Sequence, residues 1–121
     1  MRYFLFTICL LVSALPVSAQ PDPMERLLEE ANEAFRNHRY VEAIEGYEAL
    51  LREGYYSEAL HYNLGNSYYR HGQLGKAILH YERARLLDPG DADIRHNLSV
   101  ARATLQDELA PLPEFFLYRW W

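Results

Sequence analysis

Histidine is the first side chain to weigh, because imidazole both ligates metals and moves protons near neutral pH. The chain carries His38, His61, His71, His80 and His96. No two of them stand four apart, and no His-Glu-x-x-His motif occurs, so the spacing does not set a metal pair on one helix face. His38 and His71 fall at helix ends beside inter-helix turns, where an imidazole can meet the last carbonyls. All five are read as solvated or capping residues. Ser67 and Ser99 have no base paired with them in sequence, and no glycine-rich phosphate loop is present. Glu29-Glu30 reads as a charged helix face rather than an acid–base pair. The expectation is a non-enzyme with no catalytic set, no metal site and no cofactor.

Binding chemistry is better represented. Asn32, Phe35 and Arg36 form one group, and Tyr62, Asn63, Asn66, Tyr69 and Arg70 form a second. His96, Asn97 and Val100 form a third. Carboxamides offer donors and an acceptor to an extended peptide backbone. Tyrosine adds flat apolar area with a polar tip, and arginine pairs carboxylates in a forked geometry. These groups are expected to lie on a concave wall built from the first helix of each unit, with Tyr69 and Arg70 projecting from its middle. The alternative for the asparagines is that they stitch neighbouring helices together.

What brings the groups into register is an internal repeat. Ala43-Ile44 recurs as Ala77-Ile78, Tyr47-Glu48 as Tyr81-Glu82, and Asn63-Leu64 as Asn97-Leu98. Asn32 returns as Asn66 and Arg36 as Arg70, all at one spacing of 34 residues. Several matches at a single offset are the mark of a repeat architecture. Within each period apolar residues step by three or four, as in Leu74, Ala77, Ile78, Tyr81 and Ala84, which predicts helices over 23–37, 40–53, 57–71, 74–87 and 91–108. Gly54 and Gly72 suit left-handed helix endings, and Asp91 suits an N-cap. Ala31, Ala43, Gly65, Ala77 and Ala84 are small where paired helices would approach, and Tyr47, Tyr68 and Tyr81 would fill the spaces between.

Leu64-Gly65, Tyr68, Ala77, Tyr81, Ala84 and Pro89 together resemble the tetratricopeptide repeat signature, with His61 where that family usually has Trp. The resemblance implies an all-α, α-α superhelix of two helix-turn-helix repeats, 24–57 and 58–91, closed by a capping helix at 92–108. The first unit is more divergent, with Ala31 for the glycine and Tyr55 for the closing proline. Some members of the family grip a C-terminal carboxylate with a two-carboxylate clamp. Asn32 and Asn63 stand in its asparagine places, but Leu28, Asp93 and Asn97 stand where its cations belong, so that use is not expected.

The remaining stretches bear on location. With 12 Lys plus Arg against 17 Asp plus Glu, the chain is acidic and lacks the basic footprint of a nucleic-acid binder. Arg2, the apolar run Tyr3 to Leu15, Pro16 and the small residues up to Ala19 read as a signal peptide at 1–19, whose removal would take away Cys9. Residues 109–121 change character. Alternate prolines at Pro111 and Pro113 favour an extended spacer, followed by Phe115, Phe116, Tyr118, Trp120 and Trp121 around Arg119. Such aromatics are common where a chain meets a bilayer, giving possible membrane contact; the alternative is that the rings fold back on the helices. Leu60 to Arg70, Gly75 to Ala84 and Asp93 to Leu98, with the Pro/Trp tail, resemble the tetratricopeptide proteins of bacterial aerotolerance (Bat) operons, the BatE-like group. That resemblance implies a periplasmic or membrane-face scaffold with protein partners such as von Willebrand A-domain envelope proteins. It also implies either a fragment of a membrane-anchored protein or a shorter relative.

Overall fold

The computed structural model describes residues 20–110; the expectations for 1–19 and for the aromatic tail after Ala110 fall outside it. Five helices follow in order: α1 (Pro23–Arg36), α2 (Tyr40–Arg52), α3 (Glu58–Arg70), α4 (Leu74–Leu87) and α5 (Ala92–Glu108). No strand occurs among the described residues. The fold is all-helical, of the α-α superhelix type. The observed helices stay within one residue of the expected ends, because caps rather than periodicity decide the last position.

Odd-numbered and even-numbered helices start differently. Asp22 caps α1 ahead of Pro23, Ser57 Oγ accepts from the Leu60 amide at 3.1 Å, and Asp91 Oδ1 accepts from the Ile94 amide at 2.9 Å. Neither α2 nor α4 has a side-chain cap. Each is entered instead from a tight reversal that satisfies the carbonyls of the preceding helix. Gly72 (φ +83°) donates to the Tyr69 carbonyl at 3.0 Å, and Gln73 donates to Tyr68 at 2.9 Å. In the first unit the same place is held by His38 at φ +60°, with matching bonds from His38 to Phe35 and from Arg39 to Ala34. The expectation that the His38 ring caps terminal carbonyls is therefore corrected: its backbone N–H does so, and its Nδ1 lies 2.7 Å from the Tyr40 hydroxyl.

α1 packs on α2, α3 on α4, and α5 on α4, with α2 joining the pairs through α3. Ala31, Ala43, Ala77 and Ala84 are buried at these crossings, and Tyr47, Tyr68 and Tyr81 fill the core between them. Gly65 admits the Tyr81 ring so closely that a Cβ there would lie 2.6 Å from it. Ala31 occupies the matching register in the first unit, and the missing space is supplied across the interface: a Cβ on Gly46 would come within 2.8 Å of the Ala31 Cβ. The glycine has moved from one helix of the pair to the other. Ile94, Leu98 and Ala101 bury one face of α5, as a capping helix requires.

Candidate functional site

One wall of the molecule is built from α1, α3 and α5, and its polar residues form a repeating hydrogen-bond unit. In the first turn of the ladder Asn32 Oδ1 accepts from Tyr47 Oη at 2.7 Å and from Asn63 Nδ2 at 3.5 Å. In the second, Asn66 Oδ1 accepts from Tyr81 Oη at 2.7 Å and from Asn97 Nδ2 at 3.0 Å. Each residue of the second set lies 34 positions beyond its counterpart in the first. Burial holds both tyrosine hydroxyls protonated, pushing Tyr47 up to about 12 and Tyr81 higher still. They serve as permanent donors that fix the rotamers of the asparagines. The reading of these asparagines as helix stitching is thus the one the geometry bears out for their carbonyl oxygens.

Asn97 also donates to the Tyr62 hydroxyl at 3.0 Å, and the Tyr62 ring lies 6.1 Å from that of Tyr81. Contrary to expectation, Tyr69 does not project wholly from the wall: it is half-buried against the core, and its hydroxyl lies 3.3 Å from Thr104 Oγ1 on α5. Phe35, Asn66, Tyr69, Arg70, Asn97 and Val100 surround a pocket of about 230 Å³ with Tyr81 at its base. Asn32, Arg36, Tyr62, Asn63 and His96 do not line it. Of the sequence-derived set, five residues plus Val100 share one cavity.

The two arginines of the register behave differently. Arg36 donates to Glu29 at 2.7 Å in an exposed ion pair, which lowers the Glu29 carboxyl below its ordinary range. The position expected to receive a partner's carboxylate is thus already shared with a carboxylate of the chain itself. Glu29 maps onto Asn63 in the second unit, so Arg70 has no such neighbour. Arg70 Nε donates to the Tyr40 hydroxyl at 3.1 Å, with the guanidinium 5.5 Å from the centre of that ring. It makes no ion pair among the described residues. The sequence reading missed Tyr40. The repeat could not reveal it, since position 74 is Leu.

The histidines require a larger correction. His38, His71 and His96 are exposed as expected, but His61 and His80 are buried. They are 19 residues apart in sequence and face each other across α3 and α4, with Nδ1 to Nδ1 at 3.0 Å. Helical spacing rules test one helix at a time and cannot register a pair split between two. Ser67 Oγ donates to the Asn63 carbonyl at 2.8 Å and Ser99 Oγ to the His96 carbonyl at 2.7 Å, so both hydroxyls serve the backbone. No group of three or more His, Cys, Asp or Glu side chains converges among the described residues.

Residues 58–91 match the family model described as Tetratricopeptide repeat. The matched stretch is α3, the turn at Gly72, and α4 with the loop up to Asp91. No curated protein matches the chain.

Proposed function

We propose, from a tetratricopeptide-type repeat at 58–91 and its α1–α3–α5 wall, that the chain is a protein-interaction scaffold receiving an extended segment with an acidic side chain. Repeats of this kind are protein-binding modules, typically without catalysis, and the ladder presents a rigid surface suited to that use. The observation that carries the reading is Arg70. Its guanidinium borders a preformed pocket with apolar and carboxamide walls, and the carboxylate that neutralises its counterpart Arg36 is replaced by Asn63. Forked pairing with a carboxylate is the strong contact such a group offers.

The reading extends to place and partner. The leader-like residues 1–19 support export, and the resemblance to the BatE-like group supports the bacterial envelope, a Bat-type aerotolerance complex and a von Willebrand A-domain partner. Phe115, Phe116, Tyr118, Trp120 and Trp121 are proposed to touch the membrane face. A structural spacer with an empty groove is the second reading, favoured by the internal satisfaction of Asn32 and Asn66.

Capture of a purified von Willebrand A-domain protein encoded nearby separates the two. Arg70→Ala should weaken it at least about tenfold with helix content unchanged, the loss expected of a charge-assisted bond. Adding Tyr69→Ala should abolish it. Deleting 115–121 should spare capture and alter membrane association. Groove variants that still bind, with a tail deletion that does not, would replace the binding wall with the spacer.

A further inference from the structure

The His61–His80 pair is the largest polar feature of the core that the groove does not use. Both rings are enclosed, and the Nδ1 atoms are 3.0 Å apart. At that distance one Nδ1 carries a proton and the other accepts it, so a neutral pair satisfies both Nδ1 atoms. The outer nitrogen of His61 is buried with no hydrogen-bond partner, and the Tyr56 ring stands edge-on 4.6 Å away. His80 stacks on Tyr68 at 5.5 Å. A proton added to either ring places a positive charge here, and a proton on each forces two N–H groups against one another.

The groups around the pair do little to receive that charge. From α2 come Glu48 and Arg52, which line the shallow cavity beside His80. Glu48 already accepts from the Tyr68 hydroxyl. From α4 come Lys76 and Arg83, which border the same cavity. α3 supplies Tyr68, and the loop before it supplies Tyr56. Three cations thus border the cavity beside His80 against one engaged carboxylate.

We propose that the buried His61–His80 pair makes the α3–α4 joint an acid-sensitive latch: the closed joint holds both rings neutral, and mild acidification weakens it by favouring the opened state, in which the rings take up protons. Tyr81 follows His80 directly and anchors Asn66, and Tyr62 follows His61 and holds Asn97. Release of the joint therefore dissolves the pocket on the opposite side. The direction of titration agrees. Burial, His61 and Arg83 bring His80 down to about 4, with Glu48 opposing, and burial with Arg83 lowers His61.

The sign follows from linkage. Unfolded histidines take up protons near their ordinary value of about 6.5, while the folded pair refuses them, so stability is full above that value and falls below it. Between pH 7.5 and 5.5, above most carboxylate titration, each excluded proton raises the unfolding constant about tenfold.

The experiment is urea unfolding of the full chain at several pH values in that window. Wild type should show a rise of about ten- to a hundredfold in the unfolding constant. His80→Gln keeps an amide able to bond His61 without titrating, and His61→Phe removes the second ring; each should flatten the profile by about tenfold. Should one variant not fold, long-range nitrogen NMR of wild type reports the same point: both rings should stay neutral at pH 5.5 in folded protein. Protonated His61 and His80 resonances at that pH, or unchanged pH profiles in the variants, would overturn the latch.

Discussion

The two helical hairpins share a register yet divide their work. In the first, α1–α2, Glu29 seals Arg36, His38 makes the reversal, and Leu27 and Gly46 stand where the second has His61 and His80. In the second, α3–α4, Arg70 is left open, Gly72 makes the reversal, and a histidine pair fills the joint. Many positions that agree between the hairpins, such as Tyr47 with Tyr81 and Ala43 with Ala77, are buried packing. Arg36 and Arg70 agree as well, and what differs is the neighbour each is given, Glu29 or Asn63. The repeat is the scaffold, and departures from it are where function can reside.

The strongest test of the shared half is to remove its tyrosines. Tyr47→Ala and Tyr81→Ala should each lower stability by about 3–5 kcal/mol, as for other buried aromatics, measured by urea unfolding. Losses differing by more than about half would mean the hairpins are not mechanically equivalent. A smaller effect should come from exchanging a position that differs. Gly72→His copies the first hairpin into the second, where Leu74 replaces Tyr40 and no hydroxyl waits for the imidazole. A non-glycine residue in the left-handed region should cost about 1–2 kcal/mol in the same assay. An unchanged urea midpoint would show that the Gly72 reversal tolerates a side chain.

The smallest stability change is expected from Asn63→Glu, which gives Arg70 the neighbour that Arg36 has. Loss of the long Asn63–Asn32 bond, set against the exposed pair gained, should shift unfolding by no more than about 1 kcal/mol. Capture of an acidic segment should nevertheless drop about tenfold, a loss of about 1.4 kcal/mol in binding, readable by titration calorimetry. Undiminished binding would mean that Arg70 is not the receiving group.

Much of this was legible beforehand. The 34-residue offset and the three- and four-residue steps located all five helices, and the small residues located their crossings. Gly46 escaped notice because the glycine lost at Ala31 reappeared on the facing helix, where comparison at fixed offset does not look. Tyr40 escaped because it has no repeated counterpart. The histidine pair escaped because polar residues in a helix are read as solvated unless their own helix gives them a partner. The carboxamides were found, but their acceptors were already engaged by tyrosines 15 positions onward, which only packing reveals.

The asparagine ladder also behaves like a polymer with a defined end group. Each later odd helix donates to the one before it, Asn63 back to Asn32 and Asn97 back to Asn66. The next place in that series, 34 beyond Asn66, is Val100, which borders the pocket and has no oxygen to accept. Propagation by carboxamides therefore terminates on α5. A helix stacked beyond α5 would find no side-chain acceptor at this place in the series, and the ladder that sets the register of α1, α3 and α5 would not set its angle of approach.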